Sequence, residues 1–372
     1  MNSWRNKLLT LVMASVLLLA AGMALTPTSE ARFNPKKAIW GPSTINGKSA
    51  FPTYKRLGVG IYSVAIDWRL VARRRPKHPR DPRDPAYVWN DRVKDSIVEA
   101  RLNEIRVNAE IIHAPAWANG GHSRNYAPLK ASDYADFAVA AARRFPKVHM
   151  WMIWGEPSRR FQFMPYDAQD KSSMSKGLNA RQARGPQKYA QLLDAAYAAL
   201  KGLDASNLII GGNTYTSGDI RANLWIRYMK LPNGKPPRMD LYGHNPFSFK
   251  EPNLLRPPSL SNLLYGVVEF SDLGRLKDVV NNYLAIPNGK RAIPLFLSEW
   301  CIPTGPDKEF NYQVSEATQA KWINSAFKIV NADNSFIYAL GWIHLQDSKN
   351  VSSGLLDASG REKLGFAAFM NG

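Results

Sequence analysis

A single (β/α)8 TIM barrel, with long βα loops after its fourth and sixth strands, is the fold that the sequence predicts. Eight short apolar runs alternate with segments of helical periodicity along 372 residues, the order of a parallel sheet built from βα units. That length suits one barrel with inserted loops. The rival arrangement, a doubly wound open sheet, has no glycine-rich phosphate loop to support it. Two of the apolar runs, Trp151–Pro157 (WMIWGEP) and Ile293–Trp300 (IPLFLSEW), close on a glutamate.

Residues 1–31 read as an export signal. Arg5 and Lys7 precede an apolar run from Leu8 to Leu25, and Ser29 and Ala31 suit signal peptidase at positions −3 and −1. The run is long enough for an uncleaved N-terminal anchor to be the alternative. The barrel is expected over 32–372, secreted or associated with the cell envelope. Its first strand is Lys37–Gly41, followed by a brief amphipathic segment around Tyr54 to Leu57; the second is Gly60–Trp68. The Pro- and Arg-rich stretch Arg73–Pro85 is too polar for core. A helix follows over Asn90–Leu102, with Val93, Ile97 and Ala100 at helical spacing.

The third strand, Glu104–His113, stops at a loop, Ala114–Gly121 (APAWANGG), whose proline and glycines break it. Ser132 is expected to cap a helix running to Arg144. The fourth strand carries Glu156, and the polar insertion Arg159–Pro186 after it is expected to form part of a substrate cleft. A helix over Gln187–Lys201 leads to the fifth strand, Leu208–Asn213. The sixth, Met239–Pro246, opens into a Pro-rich loop to Asn262, and Asp272–Leu284 is helical. The seventh strand carries Glu299. Val314–Val330 then forms a helix with Trp322, Ala326 and Val330 on one face, Phe336–His344 is the eighth strand, and Glu362–Phe369 closes the ring.

The formal net charge is +19; losing Arg5, Lys7 and Glu30 with the signal lowers it by one. Such a balance favours anionic envelope polymers or an anionic glycan. Nucleic acid is set aside, because the basic residues are scattered apart from Arg73–Arg80 and no nucleic-acid motif accompanies them. Cys301 is the only cysteine, so no internal disulfide can form; it reads as buried filler. No metal-ligand cluster, cofactor motif or Ser-His-Asp arrangement is evident.

In this barrel the active site lies where the βα loops converge, at the C-terminal ends of the strands. Hydrolysing a glycosidic bond needs one protonated carboxyl for the leaving oxygen and one carboxylate facing the anomeric carbon. Glu156 and Glu299 are the catalytic candidates. His244, Asn245, Trp342, Trp117 and His113 are candidates for holding a sugar, together with Trp154 and Trp300 beside the two glutamates. Asn108 and Glu110 share a strand face and are expected to form an internal polar layer, not to react.

These residues carry a resemblance. The Trp68 strand, the loop Ala114–Trp117, Trp154–Pro157 (WGEP), Gly243–Pro246 (GHNP) and Ser298–Trp300 resemble the large clan of retaining glycosidases whose catalytic glutamates end strands four and seven. The texture is that of the β-xylosidase and α-L-iduronidase family and of cellulase-like relatives. The resemblance implies Glu156 as acid/base and Glu299 as nucleophile, in a monomer acting on a polysaccharide or oligosaccharide. Two positions depart from the clan. Gly155 stands where asparagine usually contacts the sugar 2-hydroxyl, and Ser63 stands where relatives often carry an arginine. Arg106 is the candidate to supply the missing cation. The departures leave an alternative open, a non-catalytic carbohydrate-binding or envelope-associated barrel.

Overall fold

The computed structural model describes residues 33–372, so the export signal or anchor read over 1–31 lies outside the described residues. The barrel strands are β1 (Asn34–Trp40), β2 (Val59–Asp67), β3 (Arg106–Ile112), β4 (Met150–Ile153), β5 (Leu208–Tyr215), β6 (Leu241–Asn245), β7 (Leu295–Trp300) and β8 (Ile337–Ile343). Each pairs in parallel with the next, and β8 closes on β1. One principal helix follows each strand: α1 (Phe51–Arg56), α2 (Asp91–Leu102), α3 (Ala131–Arg144), α4 (Ala180–Leu203), α5 (Ala222–Tyr228), α6 (Leu273–Val280), α7 (Glu316–Val330) and α8 (Leu364–Asn371). The strands are legible as near-continuous apolar runs because the barrel interior covers one face and the helices the other.

The two faces have separate cores. Ala38, Ile61, Met152, Ile210, Leu241 and Phe296 fill the barrel interior, while alternate residues such as Ile39, Tyr62, Val107 and Leu297 pack outward against the helices. Strict alternation fails at two places that matter. On β7, Leu297 pairs with Leu340 but Trp300 pairs with Trp342, so β7 holds one residue more than β8 between the pairs. On β5, Gly211 pairs with Tyr242 and Thr214 with His244, again one residue extra. Bulges of this kind re-aim side chains at barrel rims, and the side chains re-aimed are those of Glu299 and Asn213.

Several expected boundaries move. The third helix begins at Ala131, with Lys130 at its N-cap and no side-chain cap, so Ser132 lies inside the first turn. The fourth begins at Ala180, not Gln187: the Asn179 side chain accepts from Gln182 N at 3.0 Å, and Gln182 Oε1 accepts from Asn179 N at 2.9 Å. This reciprocal cap starts the helix six residues before Pro186, which α4 carries in its interior. The last seven residues of the expected insertion therefore belong to α4, and a short helical turn over Ser173–Lys176 lies within the rest. The short α5 was not foreseen. α6 starts at Leu273 after a 3-10 turn over Phe270–Asp272 and continues as a π turn over Asn281–Ala285. Cys301 is fully buried, and burial pushes its thiol up, in keeping with filler.

Candidate active site

β4 ends at Ile153, and Glu156 stands three residues beyond it on a turn, not on the strand. The turn is bent by two left-handed residues, Trp154 at φ 66° and Glu156 at φ 43°. His113 after β3, Asn213 in β5 and His344 after β8 are also left-handed, at φ 64°, 42° and 69°. Non-glycine residues avoid this region unless their surroundings hold them there. Here buried tyrosines tie the strand ends: Tyr134 donates to Ile111 O and Tyr189 to Ile153 O, each at 2.7 Å, and Trp154 Nε1 donates to Gln162 O at 2.8 Å. These five of the seven left-handed non-glycine residues described lie toward the C-terminal ends of the strands. That end bears the functional cleft.

The cleft has a volume of about 580 Å3 and is lined by Glu110, Glu156 and Glu299 at its floor, with Glu309 and Lys308 from the β7–α7 loop. His113, Trp154, Tyr215, Phe247 and Phe310 form its walls. A second depression of about 440 Å3, between Trp40 and His344, shares Glu299 and Glu309 with the first. Together they make a groove across the barrel mouth with Glu299 near its middle.

The carboxyls at the floor have unequal surroundings. Glu156 Oε2 accepts from Arg159 Nη1 at 2.5 Å, and its Oε1 accepts from Asn245 Nδ2 at 2.9 Å. The Arg159 guanidinium stacks between Phe161 and Tyr215, at 4.3 and 4.5 Å from their ring centres. Among the described residues nothing donates a hydrogen bond to Glu299. Its carboxyl is held well above the usual carboxylate range, by burial first and then by the charges of Glu156, Glu110 and Glu309, which Arg159 only partly offsets. Glu110 accepts at Oε1 from Asn213 Nδ2 at 3.2 Å. Burial, and after it the charge of Glu156, pushes the Glu110 carboxyl up to about 8. Tyr215, beside Glu156, is pushed up to about 12 by burial and by that carboxylate.

Of the residues singled out in the sequence, Glu156, Glu299, His113 and Trp154 line the cleft. Asn245 is buried and grips Glu156, so it positions a carboxyl; it is not open to a sugar. His244 is corrected to a structural residue. It is fully buried, with Nδ1 bonded to Thr214 Oγ1 at 2.9 Å and Nε2 to Val268 O at 3.0 Å, and burial lowers its pKa to about 4. Both ring nitrogens are taken. Trp300 and Trp342 are corrected likewise: both are buried on the outer face of the barrel wall, edge to face at 5.6 Å. Trp117 packs away from the cleft, its Nε1 on Ala72 O at 2.7 Å and its ring under the Arg75 guanidinium at 4.4 Å.

Arg106 lies at the opposite end of the barrel, donating to Pro35 O and Tyr338 Oη, so it cannot be the missing cation. The guanidinium that lines the cleft is Arg159, three residues along from Glu156 and bonded to it rather than to Glu299. Sequence reasoning missed it, and missed the place of Glu110. Arg106, Asn108 and Glu110 alternate along β3 and share its inward face. Asn108 is the internal polar layer expected, donating to Ser63 Oγ at 3.2 Å, but Glu110, two residues nearer the C-terminal end, reaches the cleft.

No family model matches the chain, and no curated relative matches it. Solved structures do. A family 39 glycoside hydrolase from Bacteroides cellulosilyticus superposes with a TM-score of 0.60 at 13% identity, covering 92% of this chain and 64% of that one. A glucosidase from Croceicoccus marinus gives 0.61 at 12% identity, covering 91% and 65%. A fungal β-1,4-galactanase gives 0.55 at 14% identity, covering 91% and 99%. The chain spans just under two thirds of the length of the first two. At these identities the likeness is one of fold: a barrel shared with several glycosidases.

Proposed function

We propose that the protein is a glycoside hydrolase that cleaves O-glycosidic bonds of a cell-wall or extracellular polysaccharide or oligosaccharide by a retaining double displacement. The observation that carries this reading is the pair Glu156 and Glu299, brought to one cleft floor by a strained turn and a strand bulge. In the first step one carboxyl gives its proton to the leaving oxygen while the other, as an anion, bonds to the anomeric carbon. Water then attacks that carbon, its proton passing to the first carboxyl, and the ester bond to the second breaks.

The resemblance implies Glu156 as acid/base and Glu299 as nucleophile. The unliganded site favours the reverse inventory, because Glu156 has two donors and Glu299 has none. We retain the implied roles and infer that substrate binding separates Arg159 from Glu156, so that the proton on Glu299 can cross to Glu156 before attack. The groove continuing on both sides of Glu299 suits an oligomeric substrate. Four carboxyl groups line the cleft with one arginine and one lysine, so a neutral sugar ring suits the floor and an anionic part of the glycan would meet the basic outer surface.

The non-catalytic alternative rests on Gly155 and Ser63, and two features of the cleft speak against it. Glu110 stands where a side chain at position 155 would lie, and Arg159 provides a cation. Secretion or envelope association and a monomeric state belong to the same proposal. No helix among the described residues is long and apolar enough to cross a membrane.

The test is hydrolysis of a panel of 4-nitrophenyl glycosides and wall polysaccharides by wild type, Glu156→Ala and Glu299→Ala, with and without azide, following product anomers by NMR. Loss of turnover in both variants by about 103-fold or more, with a retained product from wild type, is expected. Azide should rescue Glu299→Ala to the glycosyl azide of inverted configuration, and Glu156→Ala to the retained one. Exchanged outcomes would reverse the roles. Turnover that survives both substitutions would end the two-glutamate mechanism, and no turnover by wild type on any substrate would end the hydrolase reading.

A further inference from the structure

We propose that Glu110 is a third substrate-contacting carboxyl, engaging a hydroxyl of the sugar whose glycosidic bond lies between Glu156 and Glu299. The proposal rests on the hydrolase reading above and adds a binding group that the two-glutamate mechanism does not require.

Three observations lead to it. First, Glu110 lies on the inward-facing column of β3, followed there only by Ile112, and its carboxyl lines the cleft beside both other floor carboxyls. Secondly, only Oε1 has a protein partner, the Asn213 amide at 3.2 Å; among the described residues Oε2 has none. Thirdly, a Cβ built at Gly155 would lie 2.9 Å from Glu110 Oε1. Gly155 does not have a positive φ, so the turn does not need glycine for its backbone. The glycine leaves room for the carboxyl.

The groups facing Glu110 decide its state. They are the Glu156 and Glu299 carboxyls, the Tyr134 and Tyr189 phenols and the Asn213 amide. The one nearby guanidinium, Arg159, is bonded to Glu156. With no cation of its own, Glu110 keeps its proton at neutral pH. A protonated carboxyl offers one O–H donor and a carbonyl acceptor. These are the complements of a sugar hydroxyl, and the groups a primary amide would also present.

The experiment measures kcat/KM across pH for wild type, Glu110→Gln and Glu110→Ala, with Glu299→Gln as control. The probe is a 4-nitrophenyl glycoside that wild type hydrolyses, with its monodeoxy analogues. Glu110→Gln should stay within about threefold of wild type at pH 6, because the amide keeps a donor and an acceptor. It should also lose the alkaline decline that wild type shows near pH 8. Glu110→Ala should fall about 10- to 100-fold on the parent glycoside and far less on the one analogue lacking the contacted hydroxyl. A purely structural role predicts equal losses on the parent and every analogue. That result, or full activity in Glu110→Ala, overturns the proposal while leaving the hydrolase reading intact. If wild type hydrolyses nothing, the hydrolase reading falls; if Glu299→Gln retains full activity, the two-glutamate mechanism falls; in either case this proposal falls with it.

Discussion

Folding stability should decline between pH 5 and pH 8 by on the order of 3 kcal/mol through Glu110 alone, and Glu110→Gln should remove that decline. The folded carboxyl is pushed from an ordinary 4.5 up to about 8. In the unfolded chain the same group releases its proton near the ordinary value. Below it both states are protonated, and the stabilisation relative to the ionised form is fully present. As pH rises the native state keeps a proton that the unfolded state has lost. Stability therefore falls by about 1.4 kcal/mol per pH unit, and the fall ends as pH passes the folded value. Roughly two and a half units of full slope lie between pH 5 and 8, which gives the figure above. His244, lowered to about 4 by burial, has the opposite sign: its neutral form contributes stability above its ordinary 6.5 that is lost as pH falls toward 4. Because both proteins contain it, it cancels from the difference. The assay is guanidinium unfolding followed by tryptophan fluorescence at pH 5, 6, 7 and 8. Parallel curves for wild type and Glu110→Gln would refute the reasoning, since they would mean that Glu110 binds no more protons folded than unfolded.

Two further outcomes follow from single contacts. Arg159→Met leaves Glu156 with Asn245 as its one donor and should lower stability by about 1–3 kcal/mol; in a cycle with Glu156→Gln, the two effects should be non-additive by about 1 kcal/mol, read from urea midpoints. Asn179→Ala removes the acceptor that starts α4 and should cost about 1 kcal/mol, measured as a fall in Tm with no change in kcat.

Legibility in the sequence followed the physics of each element. The eight strands were readable because burial on both faces makes each a compact apolar run, and Glu156 and Glu299 stood out as charges ending such runs. The side-chain directions of Trp300 and Trp342 were harder. On β8 a cue was available: Ala339 and Gly341 are small because they face a crowded interior, where a Cβ at Gly341 would meet Ser298 O, so Leu340 and Trp342 between them point outward. On β7 no such cue exists. Leu297 and Glu299 share parity, and only the bulge between Leu297 and Trp300 brings Glu299 to the cleft. Bulges depend on pairing with the neighbouring strand, which one strand's sequence does not contain. His244 failed for a related reason, since a histidine near a strand end reads alike whether it faces the mouth or the helices. The start of α4 was hidden by Pro186, a residue that ordinarily ends a helix, although the Asn179 and Gln182 pair was there to be seen.

The arrangement of charge at the floor ties Glu110 and Arg159 to the two candidate catalytic glutamates. Glu110, Glu156 and Glu299 face one another with a single guanidinium among them. Three anions around one cation in a buried floor would repel strongly, since burial weakens solvent screening. Burial and mutual repulsion push the Glu110 and Glu299 carboxyls above the usual carboxylate range. A double displacement needs one proton and one charge on the reacting pair, so the Glu110 proton is not spent in the chemistry and remains available to bind substrate. The proposed acid role of Glu156 has to be reconciled with its hydrogen bond from Arg159. Whether Glu156 acts as acid or as anion therefore turns on whether a bound sugar lifts Arg159 from its stack between Phe161 and Tyr215. Removing that guanidinium takes away one of the two donors to Glu156 and should lower the stability of the fold.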